Sequence, residues 1–111
     1  LSAFAESAKR ELCTARAFVY GEGSRKIRRA ASFCGSGVDG GAIARAKAQG
    51  ADVIVSADIK HNYICDALEA GMCVVQLTHY ASENYGFKKI YQSLNGKLGV
   101  PCAYHEDECM L

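Results

Sequence analysis

Asp52-Val53-Ile54-Val55-Ser56-Ala57-Asp58 is the stretch on which the fold turns. Its centre is an unbroken run of β-branched residues, too short for a helix and without polar alternation, the pattern of a strand buried on both faces. Such a strand needs helices above and below it. Its flanks supply them. Upstream, Asp39 to Gln49 reads as an alanine-rich helix, closed by Gly50 just past its end. Downstream, Lys60 to Ala70 reads as a helix closed by Gly71, and Met72 to Leu77 repeats the buried-strand pattern.

Further out, Ile27 to Cys34 reads as a strand that runs into Gly35-Ser36-Gly37, and Phe18-Val19-Tyr20 as a shorter one ending in the turn Gly21 to Ser24. Leu1, Phe4, Ala8 and Leu12 fall on one side of an amphipathic helix over Leu1 to Thr14. Ser82 to Leu98 is a helix with Phe87, Ile90, Tyr91, Leu94 and Leu98 on one face. Gly99-Val100-Pro101 then turns the chain into a last short strand, Cys102 to Tyr104, before an acidic, fraying tail at Glu106 to Glu108. The alternation predicts one α/β domain over residues 1–111, with a mostly parallel or mixed sheet of about five strands covered by helices on both faces.

The formal net charge of +1 argues against long-range steering towards nucleic acid or an anionic membrane. The basic run Arg25-Lys26-Ile27-Arg28-Arg29 is short and lacks the interleaved aromatics of single-strand binders, so it reads as a solvated approach to a strand. No apolar run nears the length of a membrane span and no leader pattern is present, so the expected compartment is the cytoplasm. Cys13, Cys34, Cys65, Cys73, Cys102 and Cys109 form no C-x-x-C pair. Several sit in apolar runs, and the expectation is reduced, buried structural thiols.

A parallel sheet places its chemistry at the carboxyl ends of its strands. Three such ends are chemically rich: Cys34-Gly35-Ser36-Gly37, Ser56-Ala57-Asp58 and Thr78-His79-Tyr80. At the third, the i, i+4 pair His79 and Glu83 shares one face of a helix start, where an imidazole and a carboxylate suit one divalent cation. The plain alternative is a carboxylate that favours a helix N-terminus and a histidine that ends a strand. At the first, Gly35-Ser36-Gly37-Val38-Asp39-Gly40 fits G-x-G-x-x-G, with Asp58 ending the next strand, as a dinucleotide or phosphate site requires. A tight strand-to-helix turn explains the same glycines. His61 either orients or binds a ligand, or is an exposed histidine at a helix start. Lys60 either holds an anionic substrate or faces solvent.

Ile27 to Gly37, Gly50 to His61 and His79-Tyr80-Ala81-Ser82-Glu83, in this order and spacing, resemble the Nif-three-like family, the GTP cyclohydrolase I type 2 homologues. The resemblance covers essentially the whole chain, and His79-Tyr80-Ala81-Ser82-Glu83 is its most specific part. It implies half of a Nif-three-like fold, its C-terminal half, and a two-metal centre with His79 and Glu83 as ligands. Gly35, Ser36, Gly37, Asp58 and Lys60 would line the cavity, and His61 is the candidate catalytic base. It further implies ring-shaped homo-oligomers. The remaining ligands, a histidine pair and an acid, belong to an N-terminal half that a longer chain or a partner would supply. Two divalent cations (zinc, iron, manganese or magnesium) would serve a metal-dependent hydrolase acting on a nucleotide or another small anionic, phosphorylated substrate. The alternative is a non-enzymatic metal- or nucleotide-sensing module acting through oligomerisation. With two ligands, this chain alone is expected to hold metal weakly or not at all.

Overall fold

The two apolar runs at residues 53–57 and 73–77 lie side by side at the centre of the sheet. The computed structural model describes all residues from Leu1 to Leu111. The order along the chain is α1 (Ser2–Glu11), β1 (Ala17–Tyr20), β2 (Ala30–Ser32), α2 (Gly40–Ala48), β3 (Val53–Ala57), α3 (His61–Glu69), β4 (Cys73–Leu77) and α4 (His79–Leu94), with one 3-10 turn at Glu108–Met110. The sheet runs β1-β4-β3-β2. β3 pairs in parallel with β4, Val53 opposite Cys73 and Ala57 opposite Leu77, and with β2, while β1 is antiparallel on β4.

All five residues of β3 are buried. Alternation sorts them between two cores. Ile54 and Val74 face Val38 and Ile43 at α2 and Ile64 and Ala67 of α3. Val53, Val55, Cys73 and Val75 face Leu1 and Ala5 at α1. No helix is long and apolar enough to cross a membrane.

The sheet has four strands rather than about five. Cys102 to Tyr104 joins no strand; it belongs to an extended strap laid along α4. The Tyr104 hydroxyl donates to Asn84 Oδ1, Asn84 Nδ2 donates to Glu106 Oε1 at 2.7 Å, Lys88 Nζ lies 3.1 Å from Glu106 Oε2, and the Asp107 N–H donates to the Tyr80 hydroxyl at 2.8 Å. Tyr80, Asn84 and Lys88 recur every four residues on one helix face, so side chains rather than a strand ladder capture the strap. This also corrects the expectation of a fraying acidic tail, since Glu106 is docked and Asp107 caps the 3-10 turn.

β2 starts at Ala30, not Ile27. The Asp52 carboxylate accepts the N–H groups of Arg28 and Arg29 at 2.8 and 3.0 Å, which holds the basic run beside β3 without a ladder. α4 starts earlier than Ser82, because Thr78 Oγ1 caps it through the Ala81 N–H. It stops at Leu94, before Gly96 at φ 79°. The cysteines are unpaired, but only Cys73 is buried; Cys13, Cys34 and Cys109 are exposed, contrary to the expectation of buried thiols.

Candidate functional site

Because β3 and β4 are parallel neighbours, their carboxyl ends open on one rim. Asp58 follows β3 in the left-handed region, φ 46°, which a short carboxylate side chain tolerates better than most. The Ile59 N–H donates to Gln76 Oε1 at 3.2 Å and ties this turn to β4. His79 opens α4 directly after the Thr78 cap. Its ring stands between two carboxylates: Nδ1 is 2.7 Å from Asp58 Oδ2 and Nε2 is 3.1 Å from Glu83 Oε1. Roughly half of the His79 side chain, 47%, remains open to solvent.

The Asp58 hydrogen bond, then the charge of Glu83, raises the His79 pKa above the ordinary imidazole value. Below the ordinary value the ring is protonated whether the chain is folded or not, and this pairing contributes fully. It is lost as pH rises through the raised value.

Gly35 forms the third wall. Its N–H donates to Ser82 Oγ at 2.9 Å, and its carbonyl accepts from Ser56 Oγ at 2.8 Å and from the Ala57 N–H at 2.9 Å. A Cβ at Gly35 would lie 2.5 Å from Glu83 Oε1 and 2.9 Å from His79 Nε2, and φ there is 54°. Glycine is needed for both room and backbone conformation.

The structure therefore brings together Gly35, Asp58, His79 and Glu83. It leaves Ser36, Gly37, Lys60 and His61 outside this hydrogen-bonded group. Lys60 is the exposed residue preceding α3. His61 is exposed and turns its ring towards its own helix, Nε2 lying 3.7 Å from Cys65 Sγ. Gly37 closes a tight turn, its N–H donating to the Cys34 carbonyl at 3.3 Å. The N-terminus of α2, where G-x-G-x-x-G would seat a phosphate, already carries the Asp39 carboxylate, which accepts the Ala42 N–H at 2.7 Å.

The sequence reading set Ser56 at a strand end and Ser82 in the family-like run without a role for either; both fasten Gly35. That reading missed a cavity of about 290 Å³ beside Glu83, lined by Tyr80, Asn84, Phe87, Tyr104 and His105 as well. The i, i+4 spacing of Tyr80 with Asn84 and of Glu83 with Phe87 was a usable signal. Tyr104 and His105 carried none, since the strap reaches α4 only in three dimensions.

The donor set fits part of a divalent-metal site. An imidazole nitrogen and a carboxylate oxygen face each other on an exposed rim, and a second carboxylate holds the opposite ring nitrogen, the usual way of orienting a metal-binding histidine. Asp58 and Glu83 occupy opposite edges of the ring, and no group of three or more His, Cys, Asp or Glu residues is placed to hold one ion.

A family model described as Duf34/NIF3 (NGG1p interacting factor 3) matches residues 1–107. A GTP cyclohydrolase 1 type 2 homolog of Deinococcus radiodurans is 34% identical over 91 residues, 82% of this chain and 32% of that protein. Among solved structures, a Bacillus cereus protein related to NIF3 superposes with TM-score 0.73 at 30% identity, covering 96% of this chain and 31% of its own. Reduced HcgD from Methanocaldococcus jannaschii gives TM-score 0.72 at 28% identity over 89% of this chain and 40% of its own. The chain thus spans about a third of the length of these relatives. A match over nearly every residue, joined to a shared fold, means that the chain belongs to the Duf34/NIF3 family.

Proposed function

We propose that this chain carries part of a divalent-metal centre, and that the complete protein is a metal-dependent hydrolase acting on a nucleotide or another phosphorylated small molecule. The observation that carries the reading is the His79 ring held between Asp58 at Nδ1 and Glu83 at Nε2. In this reading His79 Nε2 and Glu83 are ligands, and Asp58 fixes the ring orientation and its basicity. Gly35 keeps the space in front of both ligands clear. When bound, a pair of zinc, iron, manganese or magnesium ions would supply Lewis acidity towards a substrate oxygen. The cyclohydrolase wording in the names of relatives supports a purine nucleotide as one candidate substrate. The other ligands would come from the rest of a longer chain or from a partner copy in a homo-oligomer, in the cytoplasm.

His61 keeps only a lesser part. Its ring faces Cys65 rather than the paired carboxylates, so the reading gives it a place beside the rim and not the role of base.

Equilibrium dialysis against zinc and manganese at mildly alkaline pH tests the metal reading. Weak binding is expected, lost in His79→Ala and weakened about 10- to 100-fold in Asp58→Asn, as for other orienting partners. Stoichiometric, tightly held metal on this chain alone would overturn the incomplete-site reading.

A second reading, a non-enzymatic metal- or nucleotide-sensing module acting through oligomerisation, draws support from the apolar residues that α4 exposes, Phe87, Ile90 and Leu94. Turnover of nucleotide substrates by the complete, metal-loaded protein, abolished by Glu83→Ala, would decide for the enzyme.

A further inference from the structure

The cavity beside Glu83 lies between α4 and the strap. Tyr80 and Phe87 line it from the helix and Tyr104 from the strap, with Glu83 and Asn84 between them and His105 at the strap side. Three aromatic side chains border about 290 Å³, and an aromatic face offers stacking to a flat ring. Phe87 is 61% exposed, so its ring is a wall with little packed on it. The strap is held by Glu106 on Asn84 and Lys88 and by the Asp107 N–H on the Tyr80 hydroxyl, which fixes the wall carrying Tyr104.

The polar groups lining this space are only partly used. Glu83 gives Oε1 to His79, which leaves its second oxygen as an acceptor. Asn84 donates one amide N–H to Glu106, which leaves the other. An anionic acceptor among aromatic walls selects a ring that carries N–H or amino donors. Lys88, the nearby cation, is occupied by Glu106, which leaves His105 and the second Asn84 N–H as donors to a ring nitrogen.

We infer that the cleft bounded by Tyr80, Phe87 and Tyr104 binds a planar nitrogen heteroaromatic ring that presents donors to Glu83. The inference rests on the proposed function in one respect: Glu83 belongs to both places, so the ring would be the part of the substrate held next to the metal-binding pair. The phosphorylated part would then lie outside the cleft.

The test uses 2-aminopurine as free base, a flat ring with N–H and amino donors whose fluorescence falls on stacking. The chain is titrated in the presence of EDTA, so that no metal contributes. Quenching is expected, reversed by adenine and not by saturated piperazine, with amide shift changes centred on residues 80–87 and 104–105. Phe87→Ala should weaken binding about tenfold, the loss expected on removing one stacking wall. Its side chain is exposed, so the fold survives the change. Glu83→Gln should weaken 2-aminopurine but not 9-methylpurine, which carries neither an N–H nor an amino donor. Absence of quenching, equal competition by piperazine, or unchanged affinity in Phe87→Ala would overturn the inference. Ring binding without metal binding removes the metal reading and leaves the cleft. Metal binding without ring binding does the reverse.

Discussion

The first turns of α4 and its last turns follow different rules. At the start, Ala81 and Asn84 are buried, Thr78 caps the helix, and Ser82 reaches Gly35 across the rim. At the end, Phe87, Ile90 and Leu94 lie in solvent although they share the apolar spacing of a packed face. The radius of gyration is 15.5 Å, against about 13 Å for a compact domain of this size, and the longest axis is 50 Å. An amphipathic period states that a face wants cover. It does not state that the same chain provides it. The site sits at the join, where a helix fixed by the sheet begins to leave it.

The contrast can be broken most severely from the sheet. Ile54→Ala empties a fully buried position and should cost roughly 2–5 kcal/mol, measured by urea denaturation. Gly35→Ala acts at the join. The positive φ should cost about 1 kcal/mol or more. The added methyl must also push the Glu83 carboxylate off the His79 ring, so zinc binding should fall further than stability does.

Proton competition gives the next effect. His79 holds its proton above the ordinary imidazole value, so zinc binding should strengthen as pH rises through that raised value. Below it, binding should weaken about tenfold for each unit. A binding curve flat across this range would separate His79 from the metal.

A smaller effect concerns the strap. The Asn84 amide and then Lys88 lower the Glu106 pKa. That contribution is complete above the ordinary carboxylate value and lost as pH falls through the lowered one. The Tyr91 and Tyr104 rings, 5.4 Å apart, should lose their mutual ring-current shifts over that acidic window. In Glu106→Gln this pH dependence should vanish. Least of all, Ile90→Ser at the exposed end should change stability by no more than about 0.5 kcal/mol. A loss as large as that at Ile54 would mean that this face is covered in solution.

The central strands and the three helices that pack on them were legible because each carries its own pattern. Val53 to Ala57 could only be a buried strand, and Gly50 and Gly71 mark helix ends by a local conformational need. His79 and Glu83 were legible as a pair because one helical turn is a local distance. The expected strand at Cys102 to Tyr104 failed because extended backbone becomes a strand only when an edge accepts it, and side chains of α4 took it instead. The G-x-G-x-x-G reading weakened for a related reason. Local spacing did not reveal that Asp39 caps α2, or that Gly35 must be small to admit Glu83.

Residue order alone determined the α/β class, the parallel centre and the facing of His79 with Glu83, since periodicity, turn chemistry and the helical rise act over a few residues. Tertiary structure decided which carboxylate takes the second nitrogen of His79, why Gly35 has no side chain, and that Tyr104 closes a cleft beside Glu83. Those contacts join residues about 20 to 50 positions apart, and only strand order and crossover geometry bring such positions within hydrogen-bond reach.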